Sequence, residues 1–406
     1  MKPILLCAIF FASLAAVAQP TIDEIFSTRF SASTPGCAVI ISSHGKVIYR
    51  KAFGKADLEL NVDMKPEHIF RIGSITKQFT AVAILQLVEK GVINLKDDIT
   101  KFIPDYPSHG KVITIENLLS HTSGIKNFTE IENLKTGTQP YAPLDVISLF
   151  KDQPVDFEPG TQYHYSNSGY VVLGYIIERM SGLTYNEYLN KNIFSPLGMR
   201  QSFYDNSTKL IPDRTHGYVQ MGDSAVNAEY LNTSTPYAAG ALIMNVDDLL
   251  IWHQALINNK LLKEETLKMA QTPFTLKDGT KTTYGFGWDL ADMYGSPSIS
   301  HSGSITGYAS IEIYLPKEDF FIAVLANKIN VNVGDLARMS ACLLTSNPMT
   351  KDIRLPAGLF EKSYVGKYKF KGGSTVIQPG CSKRTESILC RIADRQKRGK
   401  CTSRRT

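Results

Sequence analysis

Two side chains near position 75 have the types and the spacing that acyl-transfer chemistry requires. Ser74 and Lys77 lie three residues apart. On a helix, positions i and i+3 share one face, so the lysine amine can reach the serine hydroxyl. Desolvation in an apolar site lowers the pKa of a lysine, which lets the amine act as a base near neutral pH. The pair therefore predicts a nucleophilic serine with its own base.

The Ser-x-x-Lys spacing alone does not identify the nucleophile, because it occurs five times in the chain. Ser74 is the member that opens a long apolar stretch, predicted as a buried helix from Ser74 to about Lys90. A lysine is rarely buried in such a helix unless it is paired or has a function. The other pairs lie in turns, a glycine-containing loop or an amphipathic run and are predicted to be solvated: Ser43/Lys46, Ser108/Lys111, Ser123/Lys126 and Ser148/Lys151.

An acid for the leaving group is the next requirement, and Tyr165 is the candidate. The Tyr-x-Asn spacing of Tyr165 and Asn167 occurs four times in the chain. Tyr165 differs from the others by context, because its turn-rich loop leads directly into a predicted buried helix, Val171 to Met180. Catalytic side chains concentrate on loops that rigid elements hold in place.

A third element is expected on a strand beside the nucleophile, and two segments could supply it. Lys135-Thr136-Gly137 is a literal Lys-Thr-Gly, but it lies in a polar loop without a strand pattern. His301-Ser302-Gly303 follows a strand-like Ile299-Ser300. An amide that follows His301 on such a strand could reach an oxyanion beside the nucleophile. We therefore choose His301.

The elements that must position these residues follow a strand–helix–strand order. Two strands are predicted within residues 37–53, and helices dominate the middle of the chain. This order predicts an α+β fold with a mainly antiparallel sheet built from both chain ends, flanked by helices, with an all-α insertion. Four strands and a helix are predicted near the end, at Tyr284–Leu290, Ile299–His301, Ala309–Leu315, Phe320–Ala326 and Val333–Leu344.

A serine hydrolase domain is predicted at residues 19–350, and the sequences at the two chain ends do not have its globular pattern. Residues 1–18 have the charged start, apolar centre and small-residue end of a secretory signal peptide, with cleavage near Ala18. We therefore expect a periplasmic or secreted protein. Residues 351–377 are predicted to begin a small β module. Residues 378–406 lack an apolar period and are predicted to be a basic, disordered or aberrant tail.

Charge and composition limit the classes of partner and cofactor that the chain is expected to bind. The net charge of +6 resides in the tail, because residues 381–406 contain nine basic and two acidic side chains. The body is nearly neutral, so we expect no nucleic-acid partner. No stretch beyond the signal peptide is long and apolar enough to span a bilayer. Without metal-ligand spacing we expect no metal and no cofactor, and nothing indicates an oligomeric state.

Five segments, taken in order and spacing, resemble the family of class C β-lactamases, D-alanyl-D-alanine carboxypeptidases and related penicillin-binding proteins. The resemblance covers about residues 30–345 and implies a β-lactamase/transpeptidase-like fold. Each segment alone is unspecific, but the set is specific. The segments are Phe70-Arg-Ile-Gly-Ser-Ile-Thr-Lys-Gln-Phe-Thr, Leu118-Leu-Ser-His-Thr-Ser-Gly-Ile, Tyr165-Ser-Asn-Ser-Gly-Tyr, Ser195-Pro-Leu-Gly-Met and His301-Ser-Gly.

The resemblance implies a role for each residue of the first and third segments. Ser74 would be the acylated nucleophile and Lys77 its base partner. Tyr165 would carry the proton to the leaving group. Asn167 would orient the substrate amide or Lys77.

The resemblance also implies that the substrate edge lies on the strand of the last segment. Backbone N–H groups of Ser74 and Ser304 would form the oxyanion hole, with His301 and Gly303 beside it. Class C β-lactamases usually have lysine where this chain has His301, and histidine there resembles the D,D-peptidase and esterase branches. A histidine is expected to be charged only part of the time near neutrality.

The expected function is that of an exported serine hydrolase acting through an acyl-enzyme on Ser74. A D,D-carboxypeptidase, peptidase or esterase, acting on a small molecule or a peptidoglycan-type peptide, is the first expectation. A class C-type β-lactamase is the alternative. A non-catalytic penicillin- or peptide-binding homologue is the remaining one.

Overall fold

A six-stranded antiparallel sheet forms the centre of the fold. The computed structural model describes residues 21–132, 138–206, 208–222, 224–293 and 295–345 and the backbone of 366–370 and 373–377. The strands are β1 (Cys37–Ser43), β2 (Lys46–Phe53), β3 (Lys55–Asp57), β4 (Val62–Asp63), β5 (Phe70–Arg71), β6 (Phe203–Tyr204), β7 (Tyr218–Met221), β8 (Ser224–Asn227), β9 (Leu242–Met244), β10 (Asp289–Met293), β11 (Ser296–Ile305), β12 (Tyr308–Leu315), β13 (Phe320–Ala326), β14 (Gly366–Phe370) and β15 (Gly373–Ile377). The central sheet has the order β10-β11-β12-β13-β1-β2. Strands from both chain ends therefore meet at the β13–β1 pair, as predicted.

Helices fill most of the chain between β5 and β10. The α-helices are α1 (Ile22–Ser27), α2 (Thr76–Glu89), α3 (Ile115–Leu119), α4 (Pro143–Ser148), α5 (Asn167–Ser181), α6 (Tyr185–Leu189), α7 (Ser195–Leu197), α8 (Tyr237–Gly240), α9 (Val246–Ile257), α10 (Glu264–Ala270) and α11 (Val333–Thr345). Short 3₁₀ turns occupy Gly73–Ile75, Ile99–Lys101 and Phe128–Glu130, and a π-helical turn occupies Asn190–Phe194. The α+β class is confirmed.

The central sheet separates two apolar layers, and the alternation of side chains along each strand supplies both. On one face, Val39 and Val324 pack with α1 and α11. On the other face, Ile40 and Ala323 belong to a larger core that includes α2, α5 and α9. Because helices cover both faces, β1 and β13 are buried along almost their whole length.

Helix α2 lies in the larger core and is buried on all sides, as its apolar sequence predicts. Every residue from Thr76 to Leu87 is buried. Gly91 follows the helix with a φ of +69°, the left-handed conformation that commonly ends helices. Ser74 lies in the 3₁₀ turn that leads into α2. The candidate nucleophile therefore sits at the positive end of a long helix.

Two predicted elements differ from the structure. The strand predicted at Tyr284–Leu290 begins only at Asp289. Gly287 adopts a φ of +94°, and the N–H of Gly285 donates to the carbonyl of Trp288 at 2.9 Å, so this segment turns back on itself. The helical insertion also contains short strands, because β5, β9 and β6 form a three-stranded sheet.

Several predictions fall on residues that the structure does not describe. These are the signal peptide at 1–18, the Lys135-Thr136-Gly137 segment and the tail at 378–406. Within the predicted β module, β14 and β15 pair as an antiparallel hairpin. No helix in the described ranges is long and apolar enough to cross a bilayer.

Candidate active site

The side chains of Ser74 and Lys77 meet at the N-terminal end of α2. The Lys77 amine Nζ lies 3.0 Å from Oγ of Ser74, 2.8 Å from Oδ1 of Asn167 and 2.8 Å from the carbonyl oxygen of Ala239. Asn167 is the first residue of α5, and Ala239 lies in α8. Three elements that are distant in the sequence therefore converge on one amine.

The surroundings of Lys77 favour the neutral amine. Its side chain is fully buried, and burial lowers its pKa well below the ordinary value. A neutral amine has two N–H donors and one lone pair. The donors match the oxygen atoms of Asn167 and Ala239, which leaves the lone pair to accept the hydroxyl proton of Ser74. This is the arrangement of a base that is already hydrogen-bonded to its nucleophile.

The other four Ser-x-x-Lys lysines are exposed or partly exposed, as predicted, but Ser123 is buried, so the prediction that its pair is solvated is wrong for the serine. Lys46 is exposed. Lys111 pairs with Glu158, Lys126 pairs with Asp156 at 3.1 Å, and Lys151 pairs with Asp152 at 2.8 Å. Of the five Ser-x-x-Lys lysines, all of which lie in the described ranges, Lys77 alone is buried.

The Tyr165 phenol lies beside the same amine. Nζ of Lys77 is 4.8 Å from the centroid of the Tyr165 ring. Burial raises the pKa of the Tyr165 phenol, and a hydrogen bond with Ser74 only partly opposes this rise. The phenol therefore keeps its proton at neutral pH, which suits an acid that donates to a leaving group.

Asn167 is fixed by the segment that precedes and includes the Phe128–Glu130 turn. The Asn167 backbone N–H donates to Oδ1 of Asn127 at 3.1 Å. Its side-chain Nδ2 donates to Oγ1 of Thr129 at 3.2 Å. Because Nδ2 is directed at a hydroxyl, Oδ1 is the end of the amide that faces Lys77.

The turn around Ser74 packs tightly against β11. Gly73 has a φ of +51°, and a Cβ atom there would lie 2.9 Å from the backbone nitrogen of Ser304. A Cβ atom at Gly303 would lie 2.0 Å from the carbonyl oxygen of Ile72. Both positions therefore require glycine. This approach places the backbone nitrogen of Ser304 beside Gly73, the residue that precedes Ser74.

His301 lies on β11 with its ring buried among aromatic side chains. Its Nδ1 lies 2.6 Å from the carbonyl oxygen of Ser302, and its Nε2 lies 2.8 Å from the hydroxyl of Tyr284. A carbonyl can only accept, so Nδ1 carries the proton and Nε2 accepts from Tyr284. Burial, with a smaller effect of the Lys77 amine, lowers the pKa of His301 to about 3. The expectation of a partly charged ring near neutrality is wrong, because desolvation disfavours the cation.

Replacing His301 with alanine should lower kcat/KM by about 10- to 100-fold, because a small displacement of catalytic groups costs this much. The change leaves the Tyr284 hydroxyl without its partner and opens space beside Tyr165, whose ring centroid is 6.3 Å away. Lys135→Ala, in the rival segment, should leave kcat/KM nearly intact. The measurement is kcat/KM from pH 5 to 9 for the three proteins. Wild type and His301→Ala should share their apparent pKa values, and a larger loss in Lys135→Ala would reverse the choice of third element.

A buried carboxyl group lies beside His301 on the neighbouring strand β12. Glu312 is the cross-strand partner of His301 and is 6% exposed. Gln78 donates from Nε2 to Oε1 of Glu312, and Trp252 donates from Nε1 to Oε1 of Gln78 at 2.9 Å. Oε2 of Glu312 has no hydrogen-bond partner within the described part of the chain. Burial raises the pKa of Glu312 to about 7, although the Gln78 hydrogen bond lowers it.

Glu312 should make the stability of the fold depend on pH. The pKa of this carboxyl is 4.5 in a model compound and about 7 in the fold, so the folded state binds the extra proton between these values. The contribution of Glu312 to the free energy of unfolding is complete below pH 4.5 and is lost as the pH rises to about 7. The change is on the order of 3 kcal/mol. Urea unfolding at pH 5 and pH 8 should show this loss in wild type and not in Glu312→Gln. Glu265→Gln, at an exposed position, is the control, and equal pH dependence in all three proteins would contradict the assignment.

Comparison with known proteins identifies the family of the chain. A sequence profile of the β-lactamase family matches residues 18–339. The chain belongs to the β-lactamase family. A putative penicillin-binding protein of Bacillus subtilis, PbpX, is 32% identical over 302 residues, which is 74% of this chain and 73% of that protein. A D-aminopeptidase of Gluconobacter oxydans is 26% identical, over 83% of this chain and 66% of that protein.

Solved structures of other proteins share the fold of this chain. An octameric penicillin-binding protein homologue from Pyrococcus abyssi superposes with a TM-score of 0.69 at 29% identity, covering 80% of this chain and 76% of that chain. A D-amino acid amidase from Ochrobactrum anthropi superposes with a TM-score of 0.71 at 24% identity, covering 80% of this chain and 98% of that chain. The β-lactamase/transpeptidase-like fold is therefore confirmed.

Three contributors to this β-lactamase-family site were not assigned from the sequence. The Ala239 carbonyl and the Tyr284 hydroxyl hold Lys77 and His301. His121, in the second of the five segments, lies with its ring centroid 4.2 Å from that of Tyr165. The inclusion of His121 in the Leu118–Ile125 segment was the available signal. A backbone carbonyl such as that of Ala239 leaves no signal in residue types.

Proposed function

We propose that this chain is an exported serine hydrolase that acts through an acyl-enzyme on Ser74, as a D,D-carboxypeptidase, peptidase or esterase. The observation that carries the proposal is the buried Lys77 amine, held 3.0 Å from Oγ of Ser74 by two oxygen acceptors. A neutral amine in this position can take the hydroxyl proton at the moment of attack.

Acylation follows from the positions of these groups. Oγ of Ser74 bonds to the substrate carbonyl carbon while its proton passes to the lone pair of Lys77. The carbonyl oxygen gains negative charge and accepts hydrogen bonds from the N–H groups of Ser74 and Ser304. The bond to the leaving group then breaks, and the Tyr165 phenol gives its proton to that group. The Lys77 ammonium returns a proton to Tyr165, so the pair regains its starting state.

Deacylation uses the same groups with water in place of the leaving group. A water molecule loses its proton to the Lys77–Tyr165 pair as its oxygen attacks the acyl carbonyl. The ester bond to Ser74 breaks, and Oγ takes the proton back. The acid product leaves a free enzyme with a protonated phenol and a neutral amine.

Substrates with D-amino acids are supported by the D-aminopeptidase relative and by the D-amino acid amidase that shares the fold. The neutral His301 ring favours a peptidase or esterase over a class C-type β-lactamase. Both ring nitrogens are bonded within the protein, so His301 offers no fixed cation to a β-lactam carboxylate. A non-catalytic binding protein would not need Lys77 to be desolvated beside Ser74.

The test is a panel of substrates measured on one preparation. The panel contains a D-Ala-D-Ala peptide, a D-amino acid amide, a p-nitrophenyl ester and a fluorescent penicillin, each followed by intact mass. We expect turnover of the peptide, amide or ester, and a long-lived penicillin adduct. Fast penicillin turnover would favour the β-lactamase alternative. Binding without any adduct or turnover would favour the non-catalytic one.

Export is part of the same proposal and rests on the signal-peptide pattern of residues 1–18. Expression of the full chain in a bacterial host should give a mature protein that begins at Gln19 outside the cytoplasm. N-terminal sequencing of the fractionated protein checks this, and an intact Met1 in the cytoplasmic fraction would contradict it.

A further inference from the structure

His121 contacts the Tyr165 loop on both sides of the phenol. The backbone N–H of His164 donates to the carbonyl of His121 at 2.9 Å. The backbone N–H of Ser166 donates to Nδ1 of the His121 ring at 3.1 Å. The residues immediately before and after Tyr165 are therefore both hydrogen-bonded to one residue. Both backbone N–H groups that flank Tyr165 in the loop thus have a hydrogen-bond partner on His121, which restricts the loop.

The backbone of His121 is in an unusual conformation that makes this double contact possible. Its φ is +58°, a left-handed value that is uncommon outside glycine and that asparagine, aspartate and histidine adopt more often than other residues. Here the conformation accompanies a carbonyl and a ring that both face residues 164–166.

The imidazole ring of His121 lies in the aromatic cluster of the site. Its centroid is 4.2 Å from that of Tyr165, 4.7 Å from that of Tyr284 and 5.1 Å from that of Tyr170. His121 is 1% exposed, and its Nε2 has no hydrogen-bond partner within the described ranges. Because Nδ1 accepts from Ser166, the proton of the neutral ring resides on Nε2, among aromatic faces that can receive an N–H.

We propose that His121 is a positioning residue for the acyl-transfer reaction at Ser74: its carbonyl and its Nδ1 fix the loop, and its ring fixes the plane of the Tyr165 phenol. This inference rests on the proposed function and adds a residue to that same site. His121 acts through Tyr165 and does not touch the reacting atoms. Its loss should therefore lower kcat much more than it changes KM.

Three substitutions separate the acceptor atom from the ring. In His121→Asn, Oδ1 occupies the place of Nδ1, and asparagine tolerates a positive φ. In His121→Gln, the side-chain oxygen reaches the place of Nε2 instead. In His121→Phe, the ring remains and the acceptor is lost. We expect kcat to fall about 10²-fold in the glutamine and phenylalanine variants, the size of effect that misplaced catalytic groups produce. The asparagine variant should recover a substantial part of this loss, with KM within about threefold of wild type in all variants.

His253→Asn is the matched control. His253 is also a buried histidine among aromatic rings, 4.4 Å from the centroids of both Tyr314 and Phe321, but it lies on α9. Its substitution measures the effect on stability of removing such a ring, and it should leave kcat within about twofold. Equal kcat values in wild type and all three His121 variants would overturn the inference, and so would a loss in His253→Asn as large as that in His121→Phe.

A measurement on the unmodified protein makes the inference independent of variant folding. Nitrogen-15 chemical shifts of the His121 ring should show the Nε2–H tautomer at pH 7, with Nδ1 unprotonated. The opposite tautomer would remove the Ser166 contact and overturn the inference. Failure of the proposed function would appear differently, as wild-type protein that forms no adduct on Ser74.

Discussion

Ser74→Ala should abolish covalent labelling by a fluorophosphonate or a penicillin and lower turnover by at least about four powers of ten. Among the described residues, three groups are hydrogen-bonded to the Lys77 amine, and the Ser74 hydroxyl is the one that can become a nucleophile, since Asn167 and Ala239 offer an amide oxygen and a carbonyl. The loss should lie in the chemical step and not in substrate binding.

The fold should survive this substitution. Lys77 keeps its bonds to Asn167 and Ala239, so no more than about 1 kcal/mol of stability is at stake. Ser123→Ala is the control, because Ser123 belongs to another Ser-x-x-Lys pair and lies in the described part of the chain as a buried serine. Burst amplitude and thermal unfolding of both variants check the prediction. Loss of labelling in Ser123→Ala with retention in Ser74→Ala would move the nucleophile.

Lys77→Met should slow acylation by about 10²- to 10⁴-fold, the usual contribution of a general base. Methionine fills the same buried space without a lone pair for the Ser74 proton. Lys126→Met is the control, because Lys126 makes a partly exposed ion pair with Asp156. Single-turnover acylation rates of the three proteins give the comparison. A Lys77→Met enzyme that acylates at the wild-type rate would exclude Lys77 as the base.

The same variant should change how stability depends on pH. Burial lowers the pKa of Lys77 in the fold below its unfolded value of 10.5. Between these values the unfolded state binds more protons, so the wild-type free energy of unfolding rises with pH relative to Lys77→Met. Urea unfolding at pH 7 and pH 9.5 should show this gain. An unchanged difference between the two proteins would mean that the amine is charged in the fold.

Much of the site could be predicted from residue types in context. The long apolar run after Ser74 predicted the buried helix, and a lysine inside such a helix already implied a desolvated amine. The loop before α5 similarly singled out Tyr165. The burial of the helix and of Lys77 is confirmed, because it follows from the apolar pattern of one short segment. The catalytic role of Tyr165 stays a prediction.

The rest of the site depends on contacts between distant segments. The charge state of His301 follows from its burial and from the Tyr284 hydroxyl, and neither is visible in the His301–Gly303 segment. The Ala239 carbonyl is a backbone group, which any residue would supply. The left-handed conformation of His121 could not be predicted either, because a histidine in a sequence indicates a positive φ less clearly than a glycine does.

The most direct test of the central claim is to locate the acyl group. Trypsin cuts after Arg71 and Lys77, so residues 72–77 form a peptide in which Ser74 is the only serine. The enzyme is trapped with a fluorescent penicillin or a fluorophosphonate, digested, and sequenced by tandem mass spectrometry. The account predicts the added mass on Ser74 of this peptide, absent from Ser74→Ala. An adduct on the peptide 112–126, which contains Ser123, or on the peptide that contains Ser148, would contradict it.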